Sequence, residues 1–105
     1  MEKSESGEGQ RLSSQERIMV IVEKLVENQI FGMTNKNLAS ELGTTEANIC
    51  RDMKNMELHG WVAKLNGKWR LTPKFGGFAG QIIKGFQAAK LRLTEDEARY
   101  ASAVQ

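Results

Sequence analysis

The stretch NLASELGTTEANICRDMKNMELHGWV, residues 37–62, contains two helical patterns separated by Gly43. Apolar residues recur at helical intervals on both sides of this glycine: Leu38, Ala39, Leu42, Ile49, Met53 and Met56. Thr34 is placed to cap the first helix and Thr44 or Thr45 the second, because a threonine hydroxyl can accept a hydrogen bond from a free N–H at a helix start. Two helices joined by a short turn that contains glycine form a helix-turn-helix.

A further helix is predicted on the N-terminal side. Residues 1–12 are rich in Glu, Ser and Gly, which predicts a disordered acidic tail. Ser13 and Glu16 then have capping-box spacing, so we expect a helix that runs to about Gln29. Its period assigns five residues to the inner face, Ile18, Ile21, Val22, Leu25 and Val26, and four to the solvent face, Arg17, Glu23, Lys24 and Glu27.

On the C-terminal side the pattern changes from helical to extended. Asn66-Gly67 lies between two short extended runs and is the dipeptide that a two-residue hairpin turn favours. Pairing Leu65 with Lys68 places Val62, Trp69 and Leu71 on one face. We therefore expect a two-stranded antiparallel wing over residues 61–72, with its apolar face toward the helices and basic side chains toward solvent.

Pro73 follows Thr72, as at a helix start. Residues 74–92 carry a broad apolar stripe interrupted by four glycines, and Thr94 with Glu97 has the spacing of a second capping box before a short final helix. The expected fold class is mainly α with a two-stranded β wing, a winged helix-turn-helix plus C-terminal helices. We expect three parts: a tail over 1–12, the winged domain over 13–73, and a helical extension over 74–105 that forms a dimer contact.

Several classes of protein are poorly supported by composition. The chain has one Cys and one His among 105 residues, too few for an internal disulfide or a four-ligand zinc site. No apolar run is long enough for a membrane span, and no signal-peptide core stands near the N-terminus. We expect a cytoplasmic protein that is not an enzyme and needs no metal or cofactor.

Charge is segregated along the chain. The net charge is −2 over residues 1–33, +6 over residues 34–92 and −2 over residues 93–105. The basic block contains the helix-turn-helix and the wing, so it is the part of the chain expected to attract a polyanion.

The outer face of the second helix-turn-helix helix carries the candidate chemistry. On the side of this helix opposite Ile49, Met53 and Met56, the helical period places small, amide and cationic side chains. Arg can bond guanine O6 and N7, Asn can bond adenine N6 and N7, and a small residue leaves room for a thymine methyl. With helix 45–59 in the major groove, the candidate base contacts are Thr44, Thr45, Ala47, Asn48, Arg51 and Asn55.

Cations beside this face are candidates for the phosphates. The wing can lie along the DNA backbone or enter the minor groove, where cationic side chains displace counterions. The candidate phosphate contacts are Lys36, Lys54, Lys64, Lys68 and Arg70.

Three segments are similar to one known family: NLASELG (37–43), TTEANICRDMKNMELHGWV (44–62) and KWRLTPKF (68–75). Through them, residues 13–79 resemble the N-terminal winged helix-turn-helix domain of the isocitrate lyase regulator (IclR) family of bacterial transcription factors. The resemblance implies sequence-specific binding of double-stranded DNA, usually by a homodimer. Thr45 and Glu46 depart from the proline and basic residue that the family often has there, and Glu46 could either repel a phosphate or accept from a cytosine amino group.

The residues that follow the wing are too few for the family's effector-binding domain, so no small-molecule effector domain is expected and the resemblance does not imply ligand-gated regulation. This size favours a compact repressor, such as a phage or mobile element encodes, over an activator. Two other functions stay open: a winged-helix module that binds protein, and a peripheral membrane protein that uses the amphipathic helix 74–92.

Overall fold

The computed structural model describes residues 11–104, which form four helices and one hairpin. In chain order these are α1 Ser14–Glu27, α2 Asn35–Leu42, α3 Glu46–Leu58, β1 Val62–Leu65, β2 Lys68–Leu71 and α4 Pro73–Val104. Residues 1–10 of the predicted tail lie outside the described residues. The chain divides into two compact units between Lys74 and Phe75; the first is called the winged unit below.

Side-chain caps set the starts of the first three helices. Ser13 and Glu16 form the predicted capping box at α1, and Thr34 forms one with Asn37 at α2. Thr45, rather than Thr44, caps α3 by accepting from the Asn48 backbone N–H at 3.1 Å. Gly43 ends α2 in the left-handed conformation, with φ 65°, which glycine adopts at little cost. The predicted helix-turn-helix is therefore confirmed.

The core lies between α1, α2, α3 and the hairpin. Its ten buried apolar residues are Ile21, Leu25, Met33, Leu38, Ala39, Ile49, Met53, Met56, Val62 and Trp69. The predicted inner residues of α2 and α3 face this core, with Leu42 partly buried. Val26 was wrongly assigned to it: α1 ends at Glu27, and Val26 is 51% exposed because it lies about 100° around the helix from Leu25.

The wing has the predicted register. Val62 pairs with Leu71 and Leu65 with Lys68, while Asn66 and Gly67 have φ of 53° and 79°, as a type I′ turn requires. Met33 forms an isolated bridge with Trp69, through hydrogen bonds of 3.1 and 2.7 Å. Trp69 Nε1 also donates to Asn35 Oδ1 at 2.7 Å. The wing thus contacts the start of α2 through a hydrogen bond, in addition to packing against the core.

The C-terminal extension differs from its prediction. Pro73–Val104 is one helix of 32 residues rather than two helices, and Thr94 is not a cap. Its Oγ1 donates to the Lys90 carbonyl at 2.9 Å, a bond that satisfies threonine within a helix. No glycine or proline follows Gly85 to interrupt the backbone. None of the helices over residues 11–104 combines the length and apolarity needed to cross a membrane.

Candidate nucleic-acid interface

The outer face of α3 lies opposite the core. Ile49, Met53 and Met56 are buried on the inner side, which turns the predicted reading residues away from it. Thr45, Ala47, Arg51 and Asn55 are exposed, and Thr44 and Asn48 are partly exposed. All six predicted base-contacting residues are therefore accessible on the surface of the winged unit.

Three of these residues form a hydrogen-bonded chain along the face. Asn48 Nδ2 donates to Thr44 Oγ1 at 2.9 Å, and Arg51 Nη2 donates to Asn48 Oδ1. Both ends of the Asn48 amide are thus engaged by neighbours on the protein. Arg51 uses one of its five N–H donors in this chain, so most of its fork is open to a ligand.

A salt bridge beneath this face joins α3 to α1. Arg17 Nε donates to Asp52 Oδ2 at 2.6 Å and Nη2 donates to Oδ1 at 3.1 Å, with side chains only 11% and 6% exposed. Arg17 Nη1 also donates to the Leu12 carbonyl at 3.2 Å. The hydrogen bonding to Asp52 and the attraction between the opposite charges raise the pKa of the Arg17 guanidinium, against the opposing effect of burial.

The sequence interpretation missed this pair and wrongly placed Arg17 on the solvent face of α1. The sequence contained a signal for this ion pair. Asp52 is about 60° from Ile49 around α3, on the edge of the inner stripe, and Arg17 precedes Ile18 on the edge of the α1 stripe. Opposite charges at the borders of two packed faces indicate an ion pair between the helices.

The start of α1 is a second feature that sequence reasoning missed. Ser14 and Gln15 line an open groove together with Arg51 and Asn55. Arg11 and Leu12 line another groove with Thr44, Thr45 and Asn48. The polar and cationic side chains at residues 11–15 therefore lie beside the outer face of α3, where they can contribute to the same surface.

One large apolar residue lies beyond the predicted face of residues 44–55. Leu58 is on the outer side near the C-terminal end of α3 and is 81% exposed. Its position is about 180° from Ile49, so the helical period puts it outside. The polar reading face is confined to residues 44–55.

The predicted phosphate-contacting residues fall into two groups. Lys36, Lys54 and Lys68 are exposed, and no ion pair between described residues includes them. Lys64 and Arg70 have protein partners: the Lys64 ammonium lies 5.3 Å from the Trp69 ring centroid, and Arg70 Nε donates to the Gln29 carbonyl at 2.9 Å. These contacts fix two cations on the wing and leave the charge of both available.

Over residues 11–104, no group of three or more His, Cys, Asp or Glu side chains could hold a metal ion. Comparison of the chain with models of protein families gives no match, and comparison with curated proteins gives none. The fold defines the protein as a winged helix-turn-helix.

Proposed function

We propose that this chain binds double-stranded DNA sequence-specifically and acts in the cytoplasm as a small homodimeric transcriptional regulator, a repressor rather than an activator. In this proposal α3 enters the major groove and the wing lies on the backbone or in the minor groove. The resemblance of three segments to IclR-type domains supports the proposal alongside the surface itself.

The observation that carries this proposal is the row of hydrogen bonds that joins Thr44, Asn48 and Arg51 on the exposed face of α3. A DNA-binding surface gains affinity for DNA when its hydrogen-bond donors are held in place before binding. Hydrogen bonds between neighbouring side chains on this face favour such an order. The buried Arg17–Asp52 bridge adds to this by fixing α3 against α1. Together these contacts hold the orientation of the Arg51 side chain.

The contacts suggest a division of roles among the reading residues. Arg51 presents its open fork to guanine O6 and N7, and the exposed Asn55 is placed for adenine N6 and N7. Thr44 and Asn48 hold Arg51, and Ala47 leaves space for a thymine methyl. Thr45 is engaged by the cap of α3 through its hydroxyl, so its methyl group is the part left for a base.

Affinity for any DNA is supplied by the cations around this face. Lys36, Lys54, Lys64, Lys68 and Arg70 neutralise phosphates, which releases condensed counterions and makes binding weaken steeply as salt is added. The base contacts then add the preference for one sequence.

Selection of bound sites from a pool of random duplexes tests the function. We expect enrichment of one palindromic sequence, since a homodimer presents its reading face twice. Two variants sharpen the result: Glu23→Ala, an exposed change on α1, is the control and should enrich the same site, whereas Arg51→Ala should lose the preference at one base pair of each half. A wild-type protein that retains no duplex in dilute buffer would contradict DNA binding and favour a protein partner.

A further inference from the structure

The segment that precedes α1 is held beside α3 by one arginine. The nearly buried Arg17 donates to both carboxylate oxygens of Asp52 on α3 and, through Nη1, to the Leu12 carbonyl at 3.2 Å. Three of its five N–H donors therefore connect α1, α3 and the residues before α1. The bond to the Leu12 carbonyl fixes the backbone directly after Arg11.

Arg11 lies at a groove whose described lining favours an anion. The groove has a volume of about 310 Å³ and lies between the segment before α1 and the start of α3, where Thr44, Thr45 and Asn48 line it. Of the described residues that line it, two are arginines and none is acidic. Arg17 is already paired with Asp52, whereas Arg11 is exposed and takes part in no ion pair among residues 11–104. The charge of Arg11 is therefore available to a ligand.

The width of the major groove decides which part of the DNA Arg11 meets. An α-helix with its side chains is about 10 to 12 Å across and the major groove of B-DNA is about 12 Å wide, so α3 fills the groove that it enters. A side chain held alongside α3 then meets the phosphates at the edge of the groove rather than the bases. A guanidinium suits this place because it can donate two parallel hydrogen bonds to phosphate oxygens.

We propose that Arg11 binds a phosphate of the DNA backbone at the edge of the major groove that α3 enters. The inference rests on the proposed function and adds to it a contact from outside the helix-turn-helix and the wing. Because Arg17 holds the Leu12 carbonyl before DNA arrives, less of the backbone next to Arg11 has to be ordered on binding.

The salt dependence of binding tests this contact in the full-length protein. Fluorescence anisotropy would measure the affinity for the selected site and for a random duplex over a range of salt concentrations. Arg11→Ala should weaken binding to both duplexes alike, since a phosphate contact carries no sequence information. It should also make the slope of log association constant against log salt concentration shallower by about 0.9 per bound chain.

Lys24→Ala is the matched control, because it also removes one cation of the winged unit. Lys24 pairs with Glu41 on α2 at 3.2 Å and does not line the groove of Arg11. Its loss should leave the salt slope unchanged. An unchanged slope for Arg11→Ala, or equal reductions for the two variants, would overturn the contact.

Neutral backbone analogues identify the phosphate itself. A methylphosphonate carries no charge, so its placement at successive positions of the selected site removes one phosphate charge at a time. We expect one position in each half of the site at which the analogue weakens binding of the wild type but not of Arg11→Ala. Equal sensitivity of the two proteins at every position would overturn the assignment.

The outcomes separate this contact from the proposed function. An unchanged salt slope for Arg11→Ala would leave the selection of DNA sites standing. If selection enriches no site although duplex is bound, sequence-specific regulation fails, and the random duplex still decides the Arg11 contact. A wild type that binds no duplex would overturn both.

Discussion

The winged unit and α4 are built on opposite principles. The winged unit buries ten apolar side chains among its own helices and hairpin, whereas α4, the longest helix, buries none over 32 residues. Burial stabilises the winged unit, since each large side chain removed from water contributes about 1.5 to 3 kcal/mol. Without such burial, α4 is stabilised mainly by its own helical hydrogen bonds. The same substitution should therefore have different effects in the two regions.

The largest difference is expected for two aspartates that each bind an arginine. Asp52→Ala removes the partner of a nearly buried Arg17 and should lower the free energy of unfolding by about 3 to 5 kcal/mol. Asp96→Ala breaks the pair with Arg99 on exposed α4 and should cost less than about 1 kcal/mol. Urea unfolding would be followed by tryptophan fluorescence, which reports the winged unit through Trp61 and Trp69, and by circular dichroism of the helices, which also reports α4. Similar losses in the two variants would contradict the difference between the regions.

A smaller loss of stability is expected for glycines. Gly32 has φ 78°, and a Cβ there would lie 2.6 Å from the Trp69 carbonyl oxygen, so Gly32→Ala should destabilise the winged unit by about 3 kcal/mol. Gly43 has φ 65° and open space around it, so Gly43→Ala measures the cost of the backbone conformation alone, about 1 kcal/mol. Gly76→Ala in α4 meets no neighbour and should favour the helix by up to about 1 kcal/mol.

Thermal unfolding by circular dichroism can rank these three variants. Equal stability of the Gly32 and Gly43 variants would contradict a close contact between β2 and the segment that joins α1 to α2.

Local signals predicted most of the winged unit. The Ser13 and Thr34 caps, the left-handed Gly43 and the Asn66-Gly67 turn each depend on residues within about four positions, and all are present. The exposed outer face of α3 followed from the helical period, which also places Leu58 outside. Features of this kind can be predicted because each residue type is selected by the backbone geometry at its own position and at its close neighbours in the sequence.

Long-range contacts were not predicted. Arg17 and Asp52 are 35 positions apart, and their pairing depends on how α1 crosses α3, which no local pattern specifies. The spacing of Thr94 and Glu97 fits a capping box, yet a hydrogen bond from the Thr94 hydroxyl to the Lys90 carbonyl lets the helix continue. The same local pattern is compatible with both outcomes, because nothing nearby breaks the backbone.

The central claim is that the α3 face reads bases, and two arginines provide its most direct test. Arg51 and Arg99 each donate to a side chain three residues earlier, the Asn48 amide and the Asp96 carboxylate, and they belong to different helices, α3 and α4. Binding of each alanine variant to the selected site and to a random duplex of equal length would be measured by fluorescence anisotropy.

Arg51→Ala should lose about 1 to 3 kcal/mol on the selected site and little on the random duplex, because only base contacts are lost. Arg99→Ala should bind both duplexes as the wild type does. Equal losses on the two duplexes for Arg51→Ala would contradict base reading by α3.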